Sequence, residues 1–127
     1  MIRLLIADDE KLEREALAEL VQRRFEREVV LEVAENGRKA ADTAVLWGAD
    51  LILMDIEMPG INGIQAAEKI REKDKNCCII FLTAYDEFSY AKKAITVRAL
   101  DYILKPWDEK ELMLVLEEAM RLAGEKE

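Results

Sequence analysis

The sequence contains no histidine. That absence excludes the Ser-His-Asp relay, proton shuttles centred on imidazole and metal sites built on ring nitrogen. Any metal held by these side chains would bind oxygen, and so would be hard: magnesium, manganese or calcium. Cysteine is almost as scarce. Cys77 and Cys78 are adjacent, cannot staple distant segments, and read as ordinary buried thiols beside Ile79, Ile80 and Phe81. No apolar run approaches the roughly 20 residues that a bilayer span requires. Met1-Ile2-Arg3-Leu4-Leu5-Ile6-Ala7 runs straight into acids, so we expect no signal peptide, no membrane anchor and a cytoplasmic protein. Positive charge is also in deficit: 19 Lys and Arg face 27 Asp and Glu, for a net charge of -8. That balance argues against this chain gripping nucleic acid by itself, because phosphate neutralisation needs cations, while leaving room for a basic partner.

What is present is enough for one soluble domain. A chain of 127 residues with 51% hydrophobic and 36% charged content can close a single core over 1–127. Its centre is the run Leu51-Ile52-Leu53-Met54, which ends in Asp55 and is followed by Met58-Pro59-Gly60 and Asn62-Gly63. Continuous apolarity over strand length, closed by turn residues, predicts a strand covered on both faces, the parallel-sheet case. Ile2 to Ala7 has the same design and ends at Asp8, Asp9 and Glu10. Val29 to Ala34, Cys78 to Thr83 and Ala99 to Leu104 supply three more strands, the last ending at Lys105-Pro106.

Helical spacing falls between them. Leu12, Ala16, Leu17, Leu20 and Val21 predict an amphipathic first helix whose charges form a solvated face. Asn36-Gly37 opens a turn into a helix through Ala40, Ala41, Ala44, Val45 and Leu46; Ile64, Ala67 and Ile70 mark a third that frays from Arg71 to Asn76. Asp86 is the expected cap of a fourth helix through Phe88, Ala91 and Ile95. Leu112, Val115, Leu116, Ala119 and Ala123 give the last helix its buried stripe, with Asp108 at its start and Gly124 at its close, and leave Met113 and Leu114 outside it. Five strand–helix repeats imply an α/β fold with parallel strands, right-handed crossovers and helices on both faces. The charged end 124–127 falls where the last helix should finish, so no second domain is expected in this chain.

Parallel strands place all their carboxyl ends on one edge, where ligands of open α/β sheets bind. That edge would carry Asp8 and Asp9, Asp55, Thr83 and Lys105. Carboxylates about 4 Å apart repel by about 4 kcal/mol per pair at an effective dielectric near 20, so the group calls for a counterion. A divalent cation on Asp8 and Asp9 would supply it, while Lys105 and Thr83 could hold the terminal oxygens of a phosphoryl group. The chemistry this suits is attack of the Asp55 carboxylate on phosphorus, giving an acyl phosphate.

These pieces in this order, Asp8-Asp9-Glu10, Asp55 with Met58-Pro59-Gly60 and Gly63, Thr83-Ala84, and Tyr102-Ile103-Leu104-Lys105-Pro106, resemble the receiver domain of bacterial two-component response regulators over essentially the whole chain. The resemblance implies a flavodoxin-like doubly wound sheet of strand order 2-1-3-4-5. It implies that Asp55 accepts phosphate from a sensor histidine kinase, with Mg2+ (or Mn2+) held by Asp9, Asp55 and the main-chain carbonyl of Glu57, and by Asp8 through a metal-bound water. It further implies that Thr83 and Tyr102 form a switch pair, that Lys105 contacts phosphate, and that the Lys105–Pro106 bond is cis. On the residues alone Tyr102 could equally be a core-edge aromatic, Thr83 a plain strand residue and Lys105 a solvated end.

The phrases around Thr83 and Asp101 look most like receivers joined to AraC-type or LytR-type DNA-binding domains; the resemblance to the receiver family implies that helix 4, strand 5 and helix 5 form the surface that phosphorylation remodels for homodimerisation. DNA would then be reached through an output domain absent from this chain; a stand-alone receiver acting by protein contact is the alternative. Glu57 and Tyr85 lie two residues past Asp55 and Thr83, and we expect an anion and a bulky ring there to slow hydrolysis of the acyl phosphate. A magnesium-dependent phosphatase of the haloacid dehalogenase type fits less well, since it wants its nucleophile after the first strand in an Asp-x-Asp arrangement. A flavodoxin-like electron carrier wants a Ser/Thr/Gly-rich loop where Asp8-Asp9-Glu10 stands.

Overall fold

The apolar runs do become the centre of a sheet. In the computed structural model, which describes residues 1–84 and 86–125, the elements are β1 (Ile2–Ala7), α1 (Lys11–Phe25), β2 (Val29–Ala34), α2 (Gly37–Thr43) continuing into a π-helical turn (Ala44–Gly48), β3 (Leu51–Met54), α3 (Gly63–Lys73), β4 (Cys78–Thr83), α4 (Phe88–Thr96), β5 (Asp101–Leu104) and α5 (Glu109–Gly124). The five strands are all parallel and lie in the order β2-β1-β3-β4-β5. Alternation sorts their side chains between two layers. Leu5, Ala7, Ile52, Met54, Ile79 and Phe81 pack under α2, α3 and α4, while Leu4, Ile6, Leu51, Leu53, Ile80 and Leu82 pack under α1 and α5. The neighbouring cysteines divide in the same way, Cys77 with the first layer and Cys78 with the second, and both are free and buried. Burial pushes the Cys77 thiol up to about 11, so it stays protonated and inert.

The helices correct several expectations. The buried stripe of α1 is Leu17, Leu20, Val21 and Phe25, whereas Leu12 is 82% exposed and Ala16 faces solvent. At about 100° per residue Leu12 stands about 140° away from Leu17, off the face that meets the sheet. Ala40, Ala41 and Ala44 are buried as expected, but Val45 and Leu46 turn outward through the widened π turn. Asn36 is the N-cap of α2, its side chain accepting from the Lys39 N–H. The α4 cap position is held by Glu87 without a side-chain bond, not by Asp86, and α4 buries only Ala94, so Phe88 and Ile95 mark its outer stripe. β5 begins at Asp101 rather than Ala99 because Arg98, at φ 57, turns the chain just before it. Met113 is half-buried against the α1 layer, which leaves Leu114 as the exposed member of the pair.

α3 runs to Lys73, and Arg71 is a buried strut rather than part of a frayed end. Its Nε donates to the Val97 carbonyl at 2.7 Å and its outer nitrogens reach the carbonyls of Asp74 and Arg98. A cation thereby satisfies carbonyls at the close of α4, where the helix dipole is negative. The start of α3 is fixed by a capping box, in which Asn62 accepts from the Gln65 N–H and Gln65 accepts from the Asn62 N–H. Gly63 lets that helix approach β3: a Cβ there would collide with the Asp55 carbonyl oxygen. Gly63→Ala is therefore expected to destabilise the protein by about 2–3 kcal/mol. Urea denaturation checks this, and an unchanged midpoint would remove the steric argument.

Candidate functional site

Register carries the expected residues to one edge. Ala7 pairs with Ala34 and with Met54, and the ladder continues one step past the strand ends. The Asp8 N–H donates to the Ala34 carbonyl at 3.0 Å, that of Asp55 to the Ala7 carbonyl at 2.9 Å, and that of Lys105 to the Thr83 carbonyl at 2.8 Å. The backbone of each residue is thus hydrogen-bonded to the neighbouring strand, which is why the site is rigid at its base. Asp8 and Asp55 are buried, 1% and 5% exposed, and Thr83 is fully buried, whereas Asp9 faces solvent.

One oxygen each from Asp8, Asp9 and Asp55 can be chosen so that all three lie within 4.8 Å of one another. Lys105 is what keeps this edge tolerable. Its Nζ lies 3.1 Å from Asp8 Oδ2, 3.1 Å from Asp55 Oδ2 and 3.0 Å from Glu13 Oε1. Burial pulls the Lys105 ammonium down, but Asp55, Glu13 and Asp8 outweigh it and hold the group above its ordinary value, fully charged. Burial also lifts the Asp55 carboxyl to about 6; Lys105 opposes the rise and Asp8 adds to it. Asp55 is therefore the strained acid of the edge, which is the environment expected of a functional carboxylate.

The remaining expected residues fall as follows. Phe81 is in register with Tyr102 and Thr83 with Leu104, so Thr83 and Tyr102 share one face of the sheet as diagonal neighbours on β4 and β5. Tyr102 is half-buried, its ring 6.3 Å from that of Phe81 and tilted 53° to it. Its phenol is raised by burial and then by Asp86 and Glu87, which places it toward the start of α4. Glu57 is exposed and its N–H donates to Asp55 Oδ1 at 3.3 Å. Tyr85 lies outside the described residues. The Lys105–Pro106 bond is cis.

Two contributors escaped the sequence reading because both sit among the charges of α1, assigned there to a solvated face. Glu13 is half-buried on Lys105, and Arg14 donates from Nη1 to the Asp8 carbonyl at 2.8 Å. Their only signal was distance from the edge: the first turn of α1 starts three residues past Asp8, too close to be clear of the site.

Comparison with known proteins follows the same outline. The family model described as the response regulator receiver domain matches residues 4–117. The sensory transduction protein LytT of Oceanobacillus iheyensis is 42% identical over 118 residues, 91% of this chain and 46% of that protein. The positive alginate biosynthesis regulatory protein of Pseudomonas aeruginosa is 38% identical over 120 residues, 94% of this chain and 48% of its own length. The chain thus spans about half the length of the curated relatives it matches. Among solved structures, the REC domain of AraT, a response regulator from Geobacillus stearothermophilus, superposes with a TM-score of 0.84 at 38% identity, covering 99% of this chain and 98% of that one. A CheY-like receiver from Methanospirillum hungatei, at 21% identity and covering 100% and 99% of the two chains, shares the fold with a TM-score of 0.89.

Proposed function

Since the chain belongs to the response regulator receiver domain family, we propose that it is a phosphorylation switch in which Asp55 is the phosphoacceptor. The observation that carries this reading is the single ammonium of Lys105 on Asp55 and Asp8, beside a third acid at the same strand edge. The Asp8, Asp9 and Asp55 oxygens form an all-oxygen donor set that fits a hard divalent cation, Mg2+ or Mn2+, and the main-chain carbonyl of Glu57 would complete it. When bound, the cation supplies positive charge for the phosphoryl oxygens and the edge carboxylates.

The chain's own residues do the rest. An Asp55 carboxylate oxygen forms the bond to phosphorus as the donor's bond to phosphorus breaks, and the donor leaves with that electron pair. Lys105 keeps an ammonium at the oxygen where negative charge gathers, and the Thr83 hydroxyl holds a phosphoryl oxygen. Thr83 and Tyr102, sharing a face, then relay the event to α4, β5 and α5. Exposed apolar groups on α4 and β5, Phe88 and Ile95 and Leu104, support a homodimer surface there. The activity is limited to the domain's own phosphorylation and dephosphorylation.

The physiological donor is a sensor histidine kinase in the cytoplasm; among the described residues no helix is long and apolar enough to cross a membrane. The relatives' double length supports an output domain in the whole protein, of the LytR or AraC type, through which DNA is bound and transcription regulated. Incubation with acetyl phosphate and Mg2+ followed by intact mass measurement tests the reading. One added phosphoryl group that fails to appear with EDTA is expected; no uptake would overturn it.

Lifetime is set by neighbours of the acyl phosphate. Glu57 is exposed and its N–H donates to Asp55; its carboxylate is the anion expected to hinder attacking water. We expect dephosphorylation of Glu57→Asn and of Tyr85→Ala to be faster than that of the wild type when followed by intact mass. Unchanged or slower decay in both would sink the idea.

A further inference from the structure

We infer that Glu13 is a positioning residue that anchors the Lys105 ammonium at Asp55 when Asp8 and Asp55 turn to a cation, an inference that rests on the reading of Asp55 as phosphoacceptor. An ammonium has three donors, and here three carboxylates surround it at 3.0 to 3.1 Å: Asp8, Asp55 and Glu13. Two of these acceptors, Asp8 and Asp55, also belong to the oxygen group suited to a divalent ion; Glu13 does not. Lone pairs committed to a cation are withdrawn from Lys105, and phosphorylation removes the Asp55 charge from it as well. Glu13 is then the carboxylate that stays with the ammonium throughout.

Its position suits that task. Glu13 projects from the first turn of α1, rooted five residues past Asp8, so the backbone that carries Asp8 also sets the distance to Lys105. Its side chain is 22% exposed and that of Lys105 14%, so the pair is partly shielded from water. The neighbouring pair Lys11–Glu15 shows the contrast: at 3.8 Å, with side chains 77% and 61% exposed, it is an ordinary surface contact. Without Glu13 the ammonium has Asp8 and Asp55 as its remaining partners and competes for them with any cation. Loss of Glu13 therefore weakens Mg2+ binding, and leaves Lys105 unanchored once the other two carboxylates are engaged.

Calorimetric Mg2+ titration of the wild type, Glu13→Ala, Glu13→Gln, Lys105→Met and the Glu13→Ala/Lys105→Met double variant reads this without any phosphoryl donor. We expect Glu13→Ala to weaken Mg2+ binding about tenfold, the effect usual for a residue behind the ligands. Glu13→Gln should fall between, because its amide oxygen still accepts from the ammonium. In the Lys105→Met background Glu13→Ala should cause no comparable loss, since both changes remove one interaction. Equal Mg2+ affinity in wild type and Glu13→Ala, or the same loss with and without Lys105, would overturn the inference. At saturating Mg2+, acetyl phosphate labelling of Glu13→Ala should also be about tenfold slower, and wild-type speed would count against the anchoring role. If the wild type itself takes up no phosphoryl group, the phosphoacceptor reading fails, while the Mg2+ titrations still decide whether Glu13 acts through Lys105.

Discussion

Asp55→Asn is expected to abolish phosphoryl uptake and, in metal-free buffer at neutral pH, to make the protein more stable than the wild type by about 2 kcal/mol. Uptake is lost because the amide is no nucleophile, and stability is gained because a buried charge is removed. Burial lifts the Asp55 carboxyl from 3.8 to about 6, with Lys105 opposing and Asp8 reinforcing. The folded chain therefore holds its proton to higher pH than the unfolded chain does. Stability associated with Asp55 is fully present below about pH 4, falls as the pH rises toward 6, and is absent above that. A shift of about two units corresponds to roughly 3 kcal/mol, of which the amide recovers part, since Lys105 exchanges a carboxylate for a weaker acceptor. Thermal unfolding in EDTA at pH 4 and pH 7 checks the sign: the variant should gain at pH 7 and lose the advantage at pH 4. A variant less stable than wild type at pH 7 would contradict the account of Asp55 as a strained acid.

Lys105→Met should have the opposite effect and a larger one. Removing the ammonium leaves Asp8 and Asp55, both buried, with Glu13 beside them and no cation between. Breaking one side of a buried ion pair costs about 3–5 kcal/mol, and about 3 kcal/mol is expected here because Asp9 and Glu13 keep some contact with solvent. Burial lowers the Lys105 value, but Asp55 and the other carboxylates raise it above the ordinary range. Its contribution is thus complete at neutral pH and is lost only in strong alkali. The deficit in Lys105→Met should shrink at pH 5, where Asp55 takes up a proton, and on addition of Mg2+, which the variant should bind more tightly than the wild type does. Urea unfolding at pH 7 and pH 5, with and without Mg2+, measures all three. A deficit independent of both pH and Mg2+ would mean that Lys105 matters for packing and not for charge.

The edge was legible because the strands that carry its acids are short, apolar but for Arg3, and end abruptly. Ile2 to Ala7 and Leu51 to Met54 each stop at an acid, and a parallel sheet has no choice but to align those stops. Helix faces were less legible wherever the sequence offered more apolar residues than the sheet could cover. Leu12, Leu46, Phe88 and Ile95 fit a helical period yet face solvent, because periodicity reports that a stripe exists and not which side of the helix meets the core. Arg71 and Glu13 were hidden for the converse reason. Charged residues on amphipathic helices are assigned to water by default, and only the tertiary structure reveals that Arg71 reaches the carbonyls closing α4 and that Glu13 reaches Lys105. Gly63 owes its role to the passing Asp55 carbonyl, a contact across the loop that no local pattern encodes.

The most direct measurement is of where the phosphoryl group goes. Protein labelled with acetyl phosphate and Mg2+ can be reduced with borohydride, which converts an aspartyl phosphate to homoserine, then digested and mapped by mass spectrometry. The account predicts a single site of conversion, Asp55, that is absent when labelling is done in EDTA. Conversion at Asp8 or Asp9, or none at Asp55 in fully labelled protein, would contradict it.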